Sequence, residues 1–335
     1  MNRYFKFFIL MGIIFGAFFL IREYIPKADG IRQTPNGGHR FSEQIEENEG
    51  LSPANDEKDS PVSGDDNNDV EDNPQITSVP NNGYINISGM TIKERYSLPQ
   101  GYSRVSAEEG SFGEFLRNQR LKPYGEKSLY YDGREKPSAG IYDGVMDVDI
   151  GNRDLHQCAD AIMLLRGEYL YSLGAYEDIN FNFVSGFRAE YKKWTDGYRI
   201  KVNGNKVEYY RGADPSNTHE DFRKFMDMVM AYASTLSLEK ELESVHIQDL
   251  DIGDVFIIGG SPGHAVIVVD VAESADNEKM FLLAQSYMPA QQTQIIINPM
   301  DRDISPWYSL DGKDELITPE WRFSLDNLKG FRSND

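Results

Sequence analysis

Two stretches hold residue types that could do covalent chemistry. The first is DLHQCADAIMLLRGEYLYS, Asp154 to Ser172, which contains Cys158, the only cysteine of the 335-residue chain. The second is GDVFIIGGSPGHAVIVVD, Gly253 to Asp270, which places His264 at the start of an apolar strand. A thiolate is the nucleophile in cysteine catalysis, so a catalytic thiol needs a lowered pKa or a base beside it. A helix N-terminus offers partial positive charge and free backbone N–H groups, which can also bind an oxyanion. An imidazole on an adjoining strand can be the base, with a third polar group to orient it. Cys158 opens a helical pattern, and Gln285 lies near the end of the strand after His264. If strands 264–271 and 281–286 pair as a hairpin, Gln285 approaches His264 and Ser286 faces away.

Each feature also has a plainer reading. A lone buried thiol is commonly an inert small hydrophobe, and His264 before AVIVV could be a satisfied strand-end histidine. Asp154 and Asp160 flank Cys158, and negative neighbours disfavour a thiolate. His156 is excluded as the partner, because residues two apart on a helix do not face each other. Asp147 and Asp149 share a strand face and could serve acid/base chemistry, but such pairs more often form a solvated face. Tyr191, Trp194 and Tyr198 could form an aromatic binding surface or simply pack.

Around these residues the pattern predicts an α+β domain. Short β-like pieces cover Tyr84–Ile87 and Met90–Arg95, and Ser111 with Glu114 begins a helix over 112–120. A strand over 142–150 precedes the central helix, with Asn152 or Asp154 as cap and Gly174 as stop. Leu155, Ala159, Ile162, Leu165 and Tyr169 recur at helical spacing, so one face is expected to be buried. A hairpin crosses Asn203-Gly204-Asn205, and Thr218 with Asp221 opens another helix. Strands at 254–258, 264–271, 281–286 and 293–297 favour an antiparallel sheet.

Composition bounds partners and place. The formal net charge of −20 argues against nucleic acid. Residues 41–75 carry 12 acidic residues against one lysine, which is 11 of those 20 units. Segment 23–82 is expected to be a disordered acidic tether. Residues 1–22, with Arg3 and Lys6 before the apolar run Phe7–Ile21, read as a signal peptide or membrane anchor. The membrane contact would run through segment 4–21. A single domain over 83–335 follows. The five His and one Cys show no metal-ligand spacing, so neither metal nor cofactor is expected.

The pair QCADA and GDVF…GHAVIVVD resembles the papain-like, NlpC-type cell-wall peptidases and amidases. QCADAIMLLRGEYLY, HAVIVVD and LLAQSYMPAQ are similar to an uncharacterised bacterial envelope family, domain of unknown function 4846. The first resemblance implies a papain-like core, with the Cys158 helix packed on an antiparallel sheet or half-barrel. It further implies Cys158 as nucleophile, His264 as general base and Gln285 as orienter. The chain would then be an envelope-anchored cysteine hydrolase on the periplasmic face, cleaving an amide in a peptidoglycan stem peptide or related cell-surface substrate. The alternative is an inactive papain-like domain that binds a glycan, peptide or envelope partner. The Cys158–His264 interval is longer than in compact NlpC-type domains, and the oxyanion residue of papain relatives has no match here.

Overall fold

The computed structural model describes residues 83–137 and 140–331. The expected anchor over 1–22 and tether over 23–82 lie outside the described residues. No helix among the described residues is long and apolar enough to cross a membrane.

Six α-helices are seen among the described residues: α1 (Ile92–Arg95), α2 (Phe112–Arg117), α3 (Cys158–Ser172), α4 (Tyr191–Thr195), α5 (His219–Tyr232) and α6 (Thr235–Glu241). The main sheet has eight strands, with β1 (Tyr102–Arg104), β2 (Tyr142–Val145), β7 (Glu243–Ser244), β8 (Val255–Ile258), β9 (His264–Ser274), β10 (Lys279–Gln285), β11 (Gln294–Ile296) and β14 (Leu328–Gly330). Its order is β2-β11-β10-β9-β8-β14-β7, with β1 paired to the far end of β9. The ladders of the described residues are antiparallel, and the sheet is open rather than closed into a barrel. Three two-stranded ribbons complete the fold: β3 (Asn180–Asn182) with β4 (Arg188–Glu190), β5 (Tyr198–Asn203) with β6 (Lys206–Arg211), and β12 (Glu315–Ile317) with β13 (Arg322–Ser324).

Strand β9 is the spine. Its first nine residues are all buried, because both faces of the sheet are covered. Ala265, Ile267 and Val269 pack into the cluster that holds Ile162, Leu165 and the other apolar residues of α3. Val266 and Val268 pack on the opposite side with Phe256, Leu283, Phe323 and Leu328. Asp270 is the one charge in this run. It is fully buried and accepts from Arg104 Nε at 2.7 Å and Arg117 Nε at 2.6 Å.

Several expectations need correction. Helix α3 is buried nearly all round rather than on one face, from Ala159 through Gly167. The sheet covers one side and α5 the other, where a Cβ on Gly167 would meet Met226 Sδ and Phe222 Cζ at 3.2 Å. Its N-cap is Gln157, not Asn152 or Asp154, so Asp154 precedes the helix instead of sharing a face with Cys158. The stretch 90–95 is a bridge residue followed by α1 rather than a strand, because Thr91 caps that turn by accepting from the Glu94 N–H at 3.2 Å. Helix α2 stops at Arg117 instead of 120, and α6 is a further helix after α5 that the sequence reading did not include. At the helix stop, Gly174 has φ +70°, a backbone state suited to glycine.

Candidate functional site

The first residue of α3 is Cys158, so its sulfur sits where the first-turn N–H groups have no intrahelical acceptor. Asp160 completes the cap: its Oδ2 accepts from the Gln157 N–H at 3.1 Å. The Gln157 side chain donates to Asp154 Oδ1 at 3.2 Å, and the same oxygen accepts from the Ala290 N–H at 2.6 Å. Asp154 therefore ties the helix start to the β10–β11 connection.

The sulfur is crowded by protein, although Cys158 keeps part of its surface accessible. Burial pushes its thiol up to about 11, and the Asp160 carboxyl adds to the shift. Backbone N–H groups of Ala265, Ala159 and Cys158 itself oppose it by facing the sulfur. The Ala265 amide belongs to the residue after His264, so the strand end and the helix start meet at the sulfur. Burial also holds the Asp160 carboxyl up to about 8, so near neutrality it is mostly protonated and a weaker repulsion than a free carboxylate.

His264 is 1% exposed and reaches the site from the other side of the sheet. Its ring packs against Tyr287, Trp321 and Phe323, with centroids at 4.9, 5.2 and 6.1 Å. Burial lowers its pKa to about 4, the Gln285 hydrogen bond resists, and the Lys136 charge adds to the lowering. The His264 Nε2 lies 3.0 Å from Gln285 Oε1. The two residues stand on neighbouring antiparallel strands, and β9 and β10 keep both on one face. Cys158 and His264 line one cleft of about 630 Å³, together with Asp160, Tyr287, Trp321 and the loop over 260–263.

Two members of this site were not foreseen. Gln285 Nε2 donates to Glu320 Oε2 at 2.6 Å, and Lys136 Nζ lies 3.2 Å from both Glu320 oxygens. Glu320 sits in the turn between β12 and β13, and Lys136 in the segment before β2. Neither lies in a periodic pattern, so only the pairing of distant loops reveals them.

The remaining candidates fall elsewhere. His156 is fully buried before the helix, with Nε2 at 3.0 Å from Thr293 Oγ1, and burial lowers its pKa to about 3. Asp147 and Asp149 lie beyond β2 and are exposed. Among the described residues no cluster of His, Cys, Asp and Glu could hold a metal ion. Tyr191 and Trp194 are core residues packed on Phe225, while Tyr198 stays exposed on the β5–β6 ribbon. Ser286 is turned away from His264 and bonds Gln291 O at 2.9 Å.

No curated protein and no solved structure matches the chain. A family model described as domain of unknown function (4846) matches residues 92–330, a span that holds the cleft and every residue around it, and the chain belongs to that family.

Proposed function

We infer that the chain is a cysteine hydrolase of amide bonds with a papain-like core, in which Cys158 attacks, His264 takes and returns the proton, and Gln285 orients the imidazole. One observation carries this reading. Gln285 Oε1 can only accept, so the His264 Nε2 beside it bears the proton and Nδ1 keeps a lone pair. A neutral imidazole with a free Nδ1, lining the same cleft as a thiol at a helix start, supports base-assisted thiol attack, which needs the two groups to come within hydrogen-bond reach. The first-turn N–H groups of α3 are the available donors for the oxyanion.

The substrate proposed is an amide of a peptidoglycan stem peptide or related cell-surface peptide. The place proposed is the periplasmic face of the cell envelope, held by segment 4–21. Support for that place comes from Arg3 and Lys6 before the apolar run and from the acidic stretch behind it.

A second reading, an inactive papain-like domain that binds a glycan, peptide or envelope partner, draws on the raised thiol at about 11. The pH dependence of Cys158 alkylation by iodoacetamide separates the two. A thiol acting alone reacts through its thiolate, so the logarithm of its rate climbs with unit slope up to about pH 11. A thiol beside a neutral imidazole gains its thiolate by internal proton transfer, which leaves the total proton count unchanged. The rate then stays flat between about 4, where His264 becomes protonated, and about 11, where the thiol ionises unaided. The expected result is this plateau, and its conversion to a slope in His264→Gln. A unit slope in the unmodified chain favours the binding module.

A further inference from the structure

We propose that Glu320, held by Lys136, is a positioning residue that fixes which nitrogen of His264 carries the proton. The role rests on the hydrolase reading above, since the choice of nitrogen matters where His264 serves as a base.

A glutamine amide does not by itself select a histidine tautomer. With its oxygen toward His264 it demands an Nε2–H; turned over, its NH₂ would donate to a bare Nε2 and push the proton onto Nδ1. The latter form has no lone pair facing away from the amide and cannot accept a thiol proton there. Glu320 removes the choice. Its Oε2 lies 2.6 Å from Gln285 Nε2, and an ionised carboxylate accepts only. Turning the amide over would set the Gln285 oxygen against that carboxylate oxygen with no proton between them. The NH₂ therefore stays on Glu320, the carbonyl stays on His264 at 3.0 Å, and the proton stays on Nε2.

Lys136 holds Glu320 in place. Its ammonium lies 3.2 Å from both carboxylate oxygens and is itself buried, at 7% side-chain exposure against 19% for Glu320. It also stands 5.5 Å from the Tyr287 ring centroid, and Tyr287 in turn packs on His264. The sequence order is thus Lys136, His264, Gln285, Glu320, whereas the chain of contacts runs Lys136, Glu320, Gln285, His264.

The test is ¹⁵N NMR of the full chain labelled at its five histidines, with the His264 signals assigned by their loss in His264→Gln. The unmodified chain is expected to show one tautomer at His264, with protonated Nε2 and bare Nδ1. In Glu320→Gln the residue at 320 can donate or accept, so the Gln285 amide loses its bias and the Nδ1–H form appears. Cys158 alkylation at neutral pH then falls on the order of tenfold, the usual scale for losing an outer partner of a working histidine. Should Glu320→Gln fold poorly without the carboxylate beside Lys136, the double variant Glu320→Gln with Lys136→Met removes both charges and is expected to give the same mixture. A His264 tautomer unchanged in the folded variant overturns the proposal. A tautomer that shifts in a chain whose Cys158 never reacts supports the positioning role and retires the hydrolase reading instead.

Discussion

On the proposed hydrolase reading, Cys158→Ala is expected to lower amide hydrolysis by at least about three orders of magnitude, the scale on which loss of a covalent nucleophile is felt. The substitution deletes one sulfur from a partly open cleft, and α3 keeps its cap, because the Gln157–Asp160 bond does not involve the side chain at 158. The melting temperature should therefore move by no more than about 4 °C, the shift expected for about 1 kcal/mol in a domain of this size. The measurement uses a soluble muropeptide with an intact stem peptide and reads the appearance of new amino groups. Equal turnover by the alanine variant would sink the assignment of the nucleophile, whatever the thiol's reactivity toward alkylating agents.

Asp270→Asn is expected to cost about 3–5 kcal/mol, the penalty for removing one partner from a buried ion pair. The carboxylate is fully buried and answers two guanidinium groups, Arg104 and Arg117, from two different elements. Arg117 is itself only 8% exposed in its side chain, so the neutral amide leaves it without its counter-charge in a dry site. Arg104 retains its bond to Lys93 O at 3.1 Å and its contact with Tyr96 O, so most of the loss falls at Arg117. Urea unfolding of the variant beside the unmodified chain checks the figure. A cost below about 1 kcal/mol would mean that the triad is no better than a surface pair.

The two predictions probe parts of the molecule that differ in how far they can be read from residues alone. His264 and Gln285 were legible together because a strand alternates with period 2 and a short connection forces antiparallel pairing. Cys158 was legible as a helix start because an apolar helical period begins beside it, yet the cap was misplaced. The residue that caps is a glutamine, which side-chain preferences at this position do not favour. The all-round burial of α3 was hidden because Glu168 and Arg166 look like a solvent face. In the fold, Glu168 pairs with His219 and Arg223 of α5, and Arg166 lies over the rings of Phe112 and Phe331. Glu320 and Lys136 were not legible at all. Both sit in connections, where no period constrains which way a side chain points, and they meet across separations that no local rule spans.

Strand β9 also has a life before the sheet exists. Ala265 to Val269 is an unbroken run of five apolar, mostly β-branched residues, and both of its faces end up inside the molecule. Until its neighbours arrive, that run is the kind of segment that pairs with other unfolded chains. The charge that ends the run is Asp270, which in an extended chain interrupts such pairing as flanking charges do. The same carboxylate therefore suits two roles at different times: a flanking charge on the nascent strand, and later a tie between two arginines and the finished sheet. Asn at this position should lower the yield of soluble protein by more than its equilibrium cost alone accounts for, with the surplus growing as expression temperature rises.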